Sequence, residues 1–309
     1  MLKRFVCPDG EQIEVSACLS PGGCRMNRRC ATLPYLRTIA SERPWRGVTP
    51  SMAGSGPRLI YLRQVTDYAV SPDSRAFAAL GTAVHGKMSI RQINVLAEER
   101  LDSGGISGVA DLLEEDEKEQ GKYILTDYKT FASFKVAKCL GRRVIDVPAL
   151  DDDGNEIIYK SGVKKGQVKT RKIIVQDDSF IDMTAEELQI NMYRIMFEEA
   201  GFPISRMQIM AIVRDGGTFV AESRGIGNNI YMIPVRRLPN DYVLNFYAEL
   251  RREVEEAFAT GYVRRCNEAE NWGGARCERF CEVAVACAKM DEVQKDKKGG
   301  ISHVVRTLE

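Results

Sequence analysis

Residues 106–131, ISGVADLLEEDEKEQGKYILTDYKTF, constrain this chain more than any other stretch. Two arms rich in β-formers, ISGVADLL and KYILTDYKTF, flank a run of Glu, Asp, Lys and Gly that suits a solvated turn. The stretch predicts a β-hairpin folded about the middle of the charged run. Folding there sets Asp111 nearly opposite Asp127, where facing positions on neighbouring strands lie roughly 5 Å apart. Asp127 and Lys129 are two apart and project from one face, while Tyr128 points to the other. Two carboxylates held that close repel unless a cation neutralises them, and oxygen ligands of this kind suit Mg2+ or Mn2+. A lysine beside them can position a water or stabilise developing negative charge, so the set suits phosphodiester hydrolysis. An isolated D-x-K is more often an exposed strand pair with a cross-strand lysine, so the rest of the chain has to decide.

At 309 residues and 44% apolar, the chain can bury a substantial core as one large domain or a domain with insertions. Its net charge of +1 gives no global basic excess, so any contact with nucleic acid must come from local basic patches. No apolar stretch is long enough to span a bilayer, and the N-terminal MLKRFVCPDG lacks the apolar centre of a signal peptide. A cytoplasmic protein without membrane contact is expected. In that reducing compartment, nine cysteines read as metal ligands rather than disulfides.

The cysteines sit at the two chain ends. Cys7, Cys18, Cys24 and Cys30 fall in an expected N-terminal segment, 1–56, among the turn formers Pro8, Asp9, Gly10 and SPGG at 20–23. ATLPYLRTIASER predicts a short helix, and 43–56 a loop. A core at 57–262 follows, with residues 57–100 mainly helical by periodicity and interrupted near Ser71, Pro72 and Asp73. Its second helix, AFAALGTAVHGKM, brings Gly81, Thr82 and His85 to one surface; alone, His85 reads better as a satisfied buried side chain than as a ligand. A β-rich insertion is expected at about 136–180, where DDDGN makes a turn between VIDVPAL and EIIYKSG and a second basic strand, KTRKIIVQ, follows. Its Lys160, Lys164, Lys165, Lys169, Arg171 and Lys172 suit either a phosphate backbone or a solvated hairpin with protected edges.

Thr184 and Glu187 predict a capping box ahead of LQINMYRIMFEEAG, with Gly201 as the stop. On that helix Gln189 and Tyr193 share a face, and Leu188, Met192 and Ile195 form the apolar stripe. RMQIMAIVRD and NIYMIPVRRL predict strands, and about 240–260 an amphipathic helix. Cys266, Cys277, Cys281 and Cys287 then form an expected C-terminal cluster at 263–290, with Trp272 between the first two. The polar tail at 291–309 holds His303, for which no function is expected.

GTAVH ending at His85, GVAD ending at Asp111, DYK at 127–129 and Gln189-x3-Tyr193 occur here in one order. In that order and context the chain resembles the RecB-like branch of the PD-(D/E)xK nucleases, which includes exonuclease V and the CRISPR-associated exonucleases. The likeness covers roughly residues 30–290. It implies an α/β fold with a restriction-endonuclease-like core, a mixed central sheet flanked by helices, and a metal-bound cysteine region joining the chain ends. It also implies that His85, Asp111, Asp127 and the Tyr128 carbonyl bind Mg2+ or Mn2+, that Lys129 orients the attacking water, and that Gln189 and Tyr193 line the DNA path.

Members of this branch with an iron-sulfur cluster use one cysteine before the core and three after it. By that resemblance a 4Fe-4S cluster falls on Cys30, Cys277, Cys281 and Cys287, leaving Cys7, Cys18, Cys24 and Cys266 for a second metal such as zinc. The other partition makes two local sites, Cys7/Cys18/Cys24/Cys30 and Cys266/Cys277/Cys281/Cys287, and spacing alone does not choose. Cys139 is set aside as a small buried residue. The extra N-terminal cysteines are similar to those of phage-encoded exonucleases of this class, which would place the protein in a bacterial host cytoplasm. The function implied is a metal-dependent DNA exonuclease acting on single strands or free ends, in recombination, repair or DNA degradation. A CRISPR adaptation nuclease trimming spacer precursors and a non-catalytic DNA-binding scaffold are the alternatives. Relatives form rings, so oligomers are allowed, and a recombinase, helicase or integrase is the implied kind of partner. No Walker A loop is visible, so unwinding would need such a partner.

Overall fold

The computed structural model describes residues 1–42, 44–88 and 95–292. In chain order it contains β1 (Leu2–Val6), β2 (Gln12–Glu14), α1 (Val15–Leu19), α2 (Leu33–Ala40), α3 (Pro57–Val65), β3 (Tyr68–Val70) and α4 (Ala76–Met88). Then come β4 (Val95–Ser103), β5 (Ile106–Glu115), β6 (Tyr123–Phe131), α5 (Ser133–Cys139), β7 (Arg142–Pro148), β8 (Thr170–Gln176) and α6 (Thr184–Glu199). The last elements are β9 (Ile204–Val213), α7 (Phe219–Glu222), β10 (Ile230–Val235), α8 (Asn240–Thr260), α9 (Glu268–Asn271) and α10 (Ala275–Arg279). His303 and the tail beyond residue 292 lie outside the described residues.

The central sheet runs β10-β9-β6-β5-β4. Its pairs are antiparallel except β6 with β9, which is parallel. A parallel pair needs a long crossover, and here α5, the β7–β8 hairpin and α6 supply it. The result is a mixed α/β architecture with helices packed on the central sheet. β6 sits mid-sheet and is buried from Ile124 to Tyr128, so Thr126 and Asp127 lie inside the protein with Ile124, Leu125 and Tyr128. The hairpin of β5 and β6 forms where the sequence predicts it, with Leu112 facing Thr126 and Glu115 facing Tyr123.

Three local expectations are corrected. Residues 95–100 are strand, not helix: Gly104 and Gly105, both at positive φ, make a two-residue turn that returns β4 antiparallel onto β5. In the β-rich insertion, β7 pairs along its whole length with β8, so KTRKIIVQ and not EIIYKSG is its main partner. EIIYKSG contributes the single bridges Leu150–Glu156 and Ile158–Val168. The expected capping box of α6 is absent, because Met183 is the N-cap and Thr184 is already helical. Glu187 instead takes a bidentate pair from Arg236, with both contacts at 2.7 Å. Gly201, at φ +89°, does end the helix.

α6 is buried well beyond its expected stripe: Ile190, Met196 and Phe197 join Leu188, Met192 and Ile195 in the core. Its buried polar residues are satisfied as one network. Asn191 receives the Leu238 amide and Arg194 Nε, and donates to the carbonyls of Glu187 and Arg236. Arg194 also reaches Glu198, the Leu238 carbonyl and Asn240. Such a network is stabilising only when complete, and it fixes α6 against the chain leaving β10.

A second sheet, β2-β1-β3, carries a second core of Leu2, Phe5, Leu36, Leu59, Leu62, Tyr68 and Val70, closed by Val283 from the C-terminal region. Burying a side chain such as Phe5 or Leu36 contributes about 1.5–3 kcal/mol. The parallel pairing of β1 with β3 crosses the boundary expected at residue 56. Arg58 fastens the same region: only 2% exposed, it donates to the Val263 and Arg264 carbonyls and to Asp291. The N-terminal sheet and the described part of the C-terminal region therefore meet on α3. Among the described residues no helix is long and apolar enough to cross a membrane.

Candidate active site

The register of β5 and β6 ends at Leu112 and Thr126, so Asp111 and Asp127 meet where the two strands part. Asp111 Oδ2 there accepts the Tyr128 amide at 2.8 Å, and its Oδ1 lies 2.9 Å from His85 Nδ1. His85 is delivered by α4, which rests on β6 because Gly81 leaves room above Thr130; a Cβ at that position would stand 3.3 Å from the Thr130 hydroxyl. The hydrogen bond to Asp111 raises the His85 pKa against the opposing effect of burial.

Asp127 is the most buried acid of the group, 3% exposed. Its Oδ1 accepts a hydrogen bond from Gln189 Nε2 at 3.1 Å. Its Oδ2 stands 2.6 Å from Lys129 Nζ but accepts no aligned hydrogen bond. Burial raises the Asp127 pKa, Lys129 opposes that rise and the Asp111 charge adds to it. For Lys129, burial disfavours the ammonium, yet the Asp127 charge outweighs it and leaves the pKa raised. Each partner's charge thus favours the ionised form of the other, against the burial that disfavours both.

α6 covers this point with Gln189 and Tyr193, one turn apart as the sequence implies. Tyr193 is buried, and burial followed by the charges of Asp127 and Asp111 raises its phenol pKa. Its ring fits against β5 only because residue 108 is glycine, where a Cβ would meet Tyr193 Cε1 at 2.7 Å. All the acidic, basic and amide side chains singled out in the sequence for this site converge here. Two neighbours were not singled out. Gly108 is one: it opens the GVAD motif but was given no role of its own, and its signal is a glycine inside a strand pattern. Glu186 is the other: it pairs with Lys135 at 2.9 Å and adds negative potential at Lys129.

The cysteines sort by chain end. Cys7, Cys18, Cys24 and Cys30 line one cavity of about 20 Å³ together with Arg25, Arg28 and Arg29. Burial raises the Cys18 thiol, and Cys30, Cys24 and Cys7 raise it further. In the second group, burial raises Cys281, with Glu282, Cys277 and Cys287 adding to it, and Cys266 also feels Cys287. The groupings expected by resemblance, Cys30 with Cys277, Cys281 and Cys287, and Cys266 with Cys7, Cys18 and Cys24, are not those the structure brings together. The reason is local: the turn at Cys7–Gly10, helix α1 and the turn at Gly22 fold Cys18, Cys24 and Cys30 back onto the end of β1. Cys139 is buried in the main core.

No protein-family model matches the chain, and no curated protein matches it. A solved structure described as "Crystal structure of SSO0001" is similar over 81% of this chain and 90% of its own, at 14% identity and a TM-score of 0.38. A likeness that loose carries no argument about the site.

Whether the central residues suit a divalent cation rests on their own chemistry. Two carboxylates and an imidazole converge, and the buried Asp127 Oδ2 lacks an aligned donor, which is the kind of oxygen a hard cation satisfies. The other carboxylate oxygens are engaged by His85, Tyr128 and Gln189. Tyr128 is joined to Asp111 through its amide, not its carbonyl. Among the described residues no three His, Cys, Asp or Glu side chains form a ready-made metal cage. Carboxylate oxygens and an imidazole are donors that suit Mg2+ or Mn2+, and in the structure His85 and Lys129 contact the two carboxylates.

Proposed function

We propose that this protein is a metal-dependent DNA exonuclease with a restriction-endonuclease-like core. The observation that carries the reading is the meeting of Asp111, Asp127, Lys129 and His85 at the diverging end of one hairpin, with a buried carboxylate oxygen left without an aligned donor. His85, Asp111, Asp127 and the Tyr128 carbonyl would hold the Mg2+ or Mn2+. When bound, that ion would polarise the scissile phosphate and supply hydroxide at neutral pH.

The chain's own side chains do the rest. Lys129 orients the attacking water and offsets the charge that grows on the phosphate. Gln189 pins one oxygen of Asp127 and so fixes the direction of the other. Tyr193 backs the same carboxylate and borders the path of the strand. Residues 157–172 hold six Lys and Arg and no Asp or Glu, on the arm extended from β7 and β8. Lys164 and Lys169 lie over Tyr159 there, at 5.9 and 5.3 Å, which suits contact with a phosphate backbone.

A 4Fe-4S cluster, where present, belongs to Cys266, Cys277, Cys281 and Cys287 in this reading. Arg58 Nη1 is 3.6 Å from Cys287 Sγ, and Arg265 and Arg276 lie near the same thiols, so cations surround a group that becomes anionic on ligation. End-labelled single- and double-stranded DNA, incubated with anaerobically purified protein and Mg2+ or Mn2+, tests the main claim. Label should be lost only with metal, and Asp127→Ala and Lys129→Ala should abolish the loss while circular dichroism stays unchanged. Undiminished cleavage by either variant, or DNA bound and never cut, overturns it; the latter outcome selects a scaffold.

A further inference from the structure

We propose that Cys7, Cys18, Cys24 and Cys30 form a self-contained structural zinc site. It does not depend on the nuclease reading. Four thiols from 24 residues of chain surround one cavity, and no other described cysteine lines it. Cys7 and Cys24 each open a tight turn: the Gly10 amide returns to the Cys7 carbonyl and the Asn27 amide to the Cys24 carbonyl. Gly10 and Asn27 both take positive φ, 88° and 57°, so each turn is closed by a residue able to adopt that conformation.

The cavity suits one ion: about 20 Å³ admits a single water-sized sphere. Four cysteine sulfurs at about 2.3 Å from Zn2+ make a closed tetrahedral site, with no open position for chemistry. Charge agrees with this occupant. Four thiolates around Zn2+ leave two net negative charges, and Arg25, Arg28 and Arg29 all line the cavity. Arg25 pairs with Asp9 and also neighbours Cys7, and Arg29 Nε is a buried donor with no partner. Ligation forms four Zn–S bonds and releases four thiol protons to solvent. The thiols surround the cavity without forming a ready-made cage, so the metal draws them inward and stiffens a segment that otherwise relies on its turns.

The test uses the full chain. Zinc and iron are measured by mass spectrometry of the purified protein, and cysteines are mapped by alkylation before and after a zinc-selective chelator. One zinc per chain is expected, with Cys7, Cys18, Cys24 and Cys30 becoming labelled together on chelation and Cys266, Cys277, Cys281 and Cys287 unaffected. In a Cys18→Ser/Cys24→Ser variant the zinc should fall to zero while a Cys139→Ser control keeps it. Prompt labelling of the four thiols in untreated protein, zinc retained in the double variant, or protection of Cys30 that follows iron instead of zinc overturns the proposal. Should the double variant fail to fold, the wild-type alkylation map still decides.

Discussion

Replacing Lys129 by Met isolates the electrostatics of the candidate site. The thioether keeps much of the buried stem's volume but removes the ammonium 2.6 Å from Asp127. Asp127, 3% exposed, is then left with Gln189 as its aligned donor. Removing one partner of a buried ion pair costs about 3–5 kcal/mol, most of it the isolated charge that stays behind. Burial already raises the Asp127 pKa, and losing Lys129 removes the largest effect opposing that rise. The sign of the pH dependence follows. A folded-state pKa above the unfolded value of 3.8 means that the native state binds the proton more tightly. Stability is therefore lost as pH rises from that value to the folded pKa, by up to about 1.4 kcal/mol per unit. Urea denaturation of Lys129→Met should show a loss of about 3–5 kcal/mol at pH 8 that shrinks toward pH 5. Asp127→Asn added to it should recover much of the loss at pH 8. Saturating Mg2+ should recover some as well, because binding to the native state alone stabilises by about 2.7 kcal/mol at a hundredfold excess over Kd. A loss below 1 kcal/mol, or one independent of pH, would refute the reasoning.

Other substitutions probe the supports of the site and of the chain ends. Gly108→Ala puts a methyl 2.7 Å from Tyr193 Cε1 and 2.8 Å from Pro50 Cδ, so it should destabilise by about 1–3 kcal/mol and reduce cleavage. Gly86→Ala, whose Cβ meets nothing within 4 Å, is the thermal-melt control and should be neutral or stabilising. Arg58→Met strips donors from Asp291 and from two carbonyls and should cost about 3–5 kcal/mol, with hydrogen exchange rising first in residues 263–292. Unchanged exchange there would show that Arg58 does not fasten the chain ends. Burial pushes the Cys139 thiol up to about 12, so iodoacetamide at pH 8 should label it only after denaturation.

What could be read from the sequence was local. The β5–β6 hairpin is signalled by its own arms and turn, and α8 by its amphipathic pattern. Gln189 and Tyr193 share a face by helical spacing alone. Where competing partners existed, the nearer one was the wrong choice. DDDGN invites EIIYKSG onto VIDVPAL, yet β8 offers Ile173, Ile174 and Val175 in an unbroken seven-residue register, and the longer ladder wins. VLAEER at 95–100 is rich in helix formers and lacks strand alternation, and only the Gly104-Gly105 turn and the waiting edge of β5 make it a strand. Thr184 and Glu187 have the spacing of a capping box, but Arg236, 49 residues away from Glu187, claims the carboxylate. Arg58 has no local signal at all, since its acceptors lie more than 200 residues further along.

The cysteines show the same division between short and long range, and it bears on how the ends of the chain hold the site. Cys7 to Cys30 can be grouped by turns within one short segment, whereas Cys266 to Cys287 depend on α3 and Arg58 for their setting. α3 enters at Pro57, directly after Gly56, where a Cβ would stand 2.7 Å from Cys266 Sγ and 2.6 Å from Glu270 Oε2. That close approach joins the start of the core to the C-terminal cysteines. α3 also packs on α8, and α8 presents Tyr247, whose hydroxyl donates to the Pro50 carbonyl at 2.8 Å. Pro50 in turn borders Gly108 and hence Tyr193. A continuous packed route thus runs from the C-terminal cysteines to the wall of the candidate site. Loosening those cysteines should consequently disturb Tyr193 before it disturbs Asp127, whose partners Lys129 and Gln189 belong to the sheet and to α6.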